Sequence, residues 1–131
     1  MSTVALIEYE DAPPEVKAVF DDIRAVRSTD YINNFWKVLA NHPDTLKRVW
    51  SSLKEVMAEG ELDALTKEMV YVAVSVANNC DYCIHSHTAA AFNKGMTPGQ
   101  YEELMAVIGM AHQTNGLASG LKPPVDDCFL K

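Results

Sequence analysis

Three cysteines in 131 residues are too few to staple a secreted disulfide scaffold, so the fold must rest on its core. Basic residues are also scarce: 11 Lys and Arg stand against 18 Asp and Glu, a formal net charge of −7. Phosphate binding needs a basic face, so nucleic acid is excluded as a partner, and an anionic membrane surface is equally disfavoured. No stretch is long and apolar enough to span a bilayer. The opening MSTVALIEYEDAPPEV has neither the basic start nor the apolar run of a signal peptide, and it carries acids. The expected location is the cytoplasm, where a closely spaced cysteine pair serves redox or metal chemistry more often than structure. The chain has no repeat, linker or low-complexity tract, and no flavin, haem or nicotinamide motif, so no cofactor is expected.

What remains is 48% hydrophobic, enough to build a sizeable core in a single domain of residues 1–131. Its punctuation is helical. Pro14 starts a helix with Val16, Val19, Phe20 and Ile23 on one face. DYINNFWKVLANHP reads as a shorter helix closed by Asn41 and Pro43. In PDTLKRVWSSLKEVMAEG, residues Leu46, Val49, Trp50, Leu53, Val56 and Met57 repeat at helical spacing, with Gly60 as a stop. Thr97, Pro98 and Gln100 form a capping box for a helix whose apolar face is Tyr101, Leu104, Met105 and Ile108. The core is expected over about residues 12–116, with an irregular tail at 117–131.

VYVAVSVA, residues 70–77, alternates valine at period two and has the propensity of a strand. Nothing else in the chain offers it a strand partner, and a lone strand makes no sheet. A continuous apolar run also suits a buried helix. The expectation is therefore helix, with Thr66 as N-cap, Glu68 in the first turn and a break at Asn78-Asn79. Asparagine tolerates the left-handed conformation that ends helices. A further helix begins at or just after Cys80 and runs to Lys94, stopped by Gly95. The fold class is all-α, about six helices, with the C-x-x-C at the start of a helix that follows a buried one.

NNCDYCIHSH, residues 78–87, concentrates two of the three cysteines and two of the four histidines. At about 100° per residue, Cys80, Cys83, Ile84 and His87 share one helical face, and His85 falls roughly opposite. A cysteine near a helix N-terminus has its thiolate favoured by the dipole. A neighbouring imidazole can take the proton or stabilise the anion. Cysteines three apart at a helix start can close a short disulfide with little backbone movement. Thiolate attack, a mixed or sulfenic intermediate and resolution by the second thiol are then all open. Glu68, read alone, is an acid that suits the helix dipole.

The string E-x11-C-x-x-C-x3-H, made of Glu68, Cys80, Cys83 and His87, resembles the signature of the alkylhydroperoxidase D-like family of the carboxymuconolactone decarboxylase superfamily. LANHP at 39–43, LTKEMVYVAVSVANNCDYCIHSH at 65–87 and KGMTP at 94–98 extend the resemblance, which covers about Ala12 to Gly116. It implies an all-α homo-oligomer, usually a trimer or hexamer, that reduces hydroperoxides or disulfides in an antioxidant role. It also implies an external thiol reductant, a dihydrolipoyl or thioredoxin-like protein. Carried over to this chain, Cys83 is the thiolate that attacks peroxide. Cys80 is the resolving partner and the point of attack for the reductant. Glu68 and His87 form a proton relay. One position departs from the pattern: a histidine usually precedes the second cysteine, and here Tyr82 stands there. A phenol with a pKa of about 10 does not shuttle protons near neutrality as an imidazole does.

Two alternatives compete. One is a lyase acting on a small carboxylic acid, which the superfamily name invites; decarboxylation needs a charge sink and a proton donor rather than a dithiol. The other is a non-enzymatic zinc or redox-sensing module with Cys80, Cys83 and His87 as ligands and Glu68 or water as the fourth. No second C-x-x-C or H-x-x-H closes such a site, so no metal is expected. Of the rest, His42 reads as a cap or surface group, His112 as the cation ending a helix, and Cys128 as a free thiol without a role. Trp36 and Trp50 read as core.

Overall fold

Helix starts and stops follow the local chemistry of the chain closely. A computed structural model describes residues 1–130, and all its regular elements are helical. They are α1 (Pro14–Arg27), α2 (Asn34–Leu39), α3 (Pro43–Met57), α4 (Ala64–Ala77), α5 (Asp81–Asn93) and α6 (Pro98–Leu121), followed by a 3-10 turn at Asp127–Phe129. By their contacts they fall into two compact units, Met1–Ala58 and Glu59–Lys131. Among the described residues no helix is long and apolar enough to cross a membrane.

The first unit is built from α1, α2 and α3. Pro14 and Pro43 sit at helix starts, where the missing N–H costs nothing. His42 caps α3: its Nδ1 accepts the Thr45 N–H at 3.2 Å. Val16, Phe20 and Ile23 of α1 meet Trp36, Leu46 and Trp50 in one buried cluster. The two indoles pack edge to face at 5.3 Å. The Trp50 N–H, which could not be buried unpaired, donates to Asp22 Oδ2 at 2.6 Å. Both tryptophans are core residues, as their spacing predicts.

The second unit holds α4, α5 and α6. The valine-rich run is helical, and it packs against α5 and α6 through a face that includes Val72 and Ser75. Val70 and Val74, on the other face of α4, are exposed in this chain. The start of α4 differs from expectation. Its cap is Asp63, whose Oδ1 accepts the Thr66 N–H at 2.8 Å. Thr66 instead donates its hydroxyl back to Asp63 Oδ2 at 3.0 Å. An ionised acid three residues upstream is the better acceptor, so the helix gains most of a turn.

The capping box forms as expected: Gln100 N–H to Thr97 Oγ1 at 3.1 Å, and Thr97 N–H to Gln100 Oε1 at 2.8 Å. Tyr101, Leu104, Met105 and Ile108 are the inward residues of α6. The helix then continues well beyond Gly116, so the first part of the expected irregular tail is helical. It stops at Lys122, in the left-handed conformation, immediately before Pro123. His112 therefore lies in mid-helix rather than at its end, and the dipole gives it no special role. Glycine weakens a helix without forbidding one, and the residues around Gly116 and Gly120 outvote it.

Gly116 is exposed, and a Cβ there would meet nothing within 4 Å. Gly116→Ala should therefore stabilise the protein by about 0.5–1 kcal/mol in urea unfolding. No gain would mean that the helix does not persist through this position.

Candidate active site

The link between α4 and α5 is only three residues long, and it places a cysteine by backbone geometry. Asn79 takes the left-handed conformation, φ 53°. Its N–H reaches Val76 O at 3.1 Å, and the Cys80 N–H reaches Ser75 O at 3.0 Å. These two bonds close α4 in a Schellman motif whose final residue is Cys80. The same residue caps α5, with its sulfur accepting the Cys83 N–H at 3.3 Å. Cys80 thus ends one helix motif and begins the next. Cys83, in the first turn of α5, lies 5.2 Å away Cα to Cα, and the two form a disulfide. Both are half-buried, so the pair is reachable from solvent.

One and two turns into α5, the predicted face holds. His87 is half-buried and points to α4, whereas His85 is exposed, 3.6 Å from the equally exposed Asp81. The Nδ1 of His87 stands 2.7 Å from Glu68 Oε2. The structure therefore joins Glu68 to His87 across the α4–α5 packing, with Cys83 one turn before His87 on the same helix. Glu68 is not in the first turn of α4. Because the helix starts at Ala64, Glu68 lies in the second turn, with only 6% of its side chain exposed. Its role is not that of an acid complementing the dipole.

Two neighbours were not visible in the sequence pattern. Lys94 Nζ donates to Glu68 Oε1 at 3.0 Å, so each carboxylate oxygen has its own partner. Tyr71 lies flat against the His87 ring, 3.5 Å between centroids and 18° between planes. Both follow from periodicity once the helices are known: Tyr71 is three residues from Glu68, and Lys94 seven from His87. Nothing in the linear sequence singles out a lysine at a helix end or one of five tyrosines.

A buried carboxylate is costly unless it is paired. Burial pushes the Glu68 carboxyl up, but the hydrogen bonds and charges of His87 and Lys94 outweigh it and hold it below the ordinary glutamate value. An ionised carboxylate only accepts, so the hydrogen between Glu68 and His87 belongs to Nδ1 of the ring. In the neutral imidazole Nε2 is then the free, basic nitrogen. That is the tautomer a thiol-activating base needs. Tyr82, between the two cysteines, is largely exposed. Cys128 is exposed and free, in the 3-10 turn. Among the described residues no three His, Cys, Asp or Glu side chains are grouped as a metal site.

The model of the carboxymuconolactone decarboxylase family matches residues 43–124, which include every residue of this site. A crystal structure of an alkylhydroperoxidase AhpD core from Rhodospirillum rubrum superposes with a TM-score of 0.96 at 57% identity, covering 100% of this chain and 98% of that one. The chain belongs to the alkylhydroperoxidase D-like family of this superfamily. Among curated relatives, an uncharacterised protein of Cupriavidus necator is 28% identical over 62% of the chain and 72% of its own length. Uncharacterised protein 4 in the cox locus of Paracoccus denitrificans is 35% identical over 50% of the chain and 65% of its own length.

Glu68→Gln leaves the Lys94 ammonium facing an amide and should cost about 1–3 kcal/mol at pH 7. The native carboxyl is held below its unfolded value, so its contribution is full above that unfolded value and is lost as pH falls through the native one. Urea unfolding of both proteins should show the gap closing in acid. A gap that is independent of pH would mean that the charge of Glu68 does not matter.

Proposed function

We propose that the chain is a thiol-dependent antioxidant oxidoreductase that reduces alkyl hydroperoxides, with Cys80 and Cys83 as its redox pair. The observation that carries this reading is a Cys80–Cys83 disulfide at the start of α5, one turn before a histidine whose Nδ1 is committed to a buried carboxylate. Cys83 receives the helix dipole, and His87 takes its proton. The thiolate attacks the peroxide, the O–O bond breaks and a sulfenic acid forms. The departing alkoxide takes a proton from the His87 imidazolium. Cys80 then attacks the sulfenic sulfur, water leaves and the disulfide closes. In sum, two thiols and one hydroperoxide give a disulfide, an alcohol and water.

An external dithiol, a dihydrolipoyl or thioredoxin-like protein, then attacks Cys80 and restores the pair. A disulfide substrate could enter by the same exchange. This chemistry belongs in a reducing compartment such as the cytoplasm, and the family relationship supports a homo-oligomer, a trimer or a hexamer. The R. rubrum relative bears the name alkylhydroperoxidase, which supports the peroxide as oxidant. The name of the wider family keeps a lyase as the competing reading. The geometry favours the dithiol, because a decarboxylase has no use for two sulfurs closed on one another beside a base.

Cys83→Ser should reduce peroxide consumption, with dithiothreitol as reductant, by at least about 100-fold, the scale of losing an activated nucleophile. Cys80→Ser should still consume one equivalent and stop at a sulfenic acid that dimedone traps. Unchanged turnover in Cys83→Ser would overturn the reading.

A further inference from the structure

The site contains one more charged group than a carboxylate–imidazole relay requires. Lys94 is the last residue before the left-handed Gly95, φ 96°, which ends α5 and holds the lysine at a defined point. Its Nζ takes Glu68 Oε1 at 3.0 Å while Nδ1 of His87 takes Oε2 at 2.7 Å. The carboxylate has only 6% of its side chain exposed, His87 has 17% and Lys94 has 40%. The lysine is thus the solvent-side end of a row of three groups whose middle member is sealed. The charged groups within hydrogen-bond distance of Glu68, among the described residues, are His87 of α5 and Lys94, which caps the C-terminus of α5; α4 adds the uncharged Tyr71 stacked on His87.

We propose that Lys94 is a positioning residue that acts through Glu68. By occupying one carboxylate oxygen it leaves the other committed, as an anion, to Nδ1 of His87, and so keeps Nε2 as the ring nitrogen available to the dithiol. A Glu68 without Lys94 has burial working against its charge and one partner fewer to oppose it. Once protonated, its carboxyl becomes a donor and no longer requires the hydrogen to sit on Nδ1. The ring then exchanges tautomers, and the fraction with a basic Nε2 falls. Tyr71 fixes the plane of the ring; Lys94 fixes which nitrogen carries the hydrogen.

This role rests on the peroxidase reading for its effect on rate, but not for its effect on the imidazole. The test is therefore made twice, on reduced wild type, Lys94→Met and Lys94→Arg. In nitrogen-15 spectra of the histidines, with His87 assigned by His87→Gln, wild type should show the hydrogen on Nδ1 across neutral pH. Lys94→Met should show mixed tautomers, and Lys94→Arg the wild-type pattern. In peroxide turnover, Lys94→Met should lose about tenfold in kcat at pH 7, a part of what general acid–base catalysis supplies, with its acid limb moved to higher pH. Lys94→Arg should restore both. A single Nδ1–H tautomer in Lys94→Met overturns the proposal, as does an unmoved acid limb. If wild type consumes no peroxide, the peroxidase reading fails and the spectra still decide the role of Lys94. If Lys94→Met does not fold, Lys94→Leu, which likewise removes both the donor and the charge, takes its place with the same expected and overturning results.

Discussion

A carboxylate removed from water must be compensated, and the arrangement around Glu68 is the consequence. Its two oxygens are taken by an imidazole from the neighbouring helix and by the ammonium of the residue that caps that helix. Losing either would leave a buried charge short of partners, at a cost comparable to a sizeable fraction of a small protein's stability. The pairing therefore also sets how α5 lies against α4. With His87 held to Glu68, the residue one turn earlier, Cys83, is brought to the same face. The placement of the cysteine pair is thus tied to a charge that is not itself at the surface.

The second constraint is the turn. Asn79 can enter the left-handed region because its short polar side chain tolerates it, and this lets two helices meet with only three residues between them. Cys80 closes one helix motif and caps the next with its sulfur. In that position the sulfur sits at the positive end of α5 and beside Cys83. The helix cap and the disulfide thus use the same sulfur, one through the Cys83 N–H and the other through its Sγ.

Much of this was legible in the sequence. The helical phase of Cys80, Cys83 and His87, the outward His85, the asparagine turn and the Thr97 capping box all follow from periodicities and caps that act within a few residues. The failures share a cause as well. Thr66 is a good cap by type, but Asp63 three residues earlier takes the role, and only the three-dimensional start of the helix shows it. The tail after Gly116 is expected to be irregular because propensity is local, whereas α6 runs on to Leu121 over 24 residues. Lys94 and Tyr71 were invisible because their partners lie across the α4–α5 packing, 26 and 16 positions away. The pairing of Glu68 with His87, 19 positions apart, was anticipated only through the family signature.

On the proposed reading Cys80 and Cys83 work as one redox unit. Fully reduced protein should be mixed with one equivalent of an organic hydroperoxide, and its thiols mapped by mass spectrometry. A rapid Cys80–Cys83 disulfide is expected, with the peroxide consumed in equal amount and Cys128 left untouched. Thiols that remain reduced, or oxidation confined to Cys128, would contradict it.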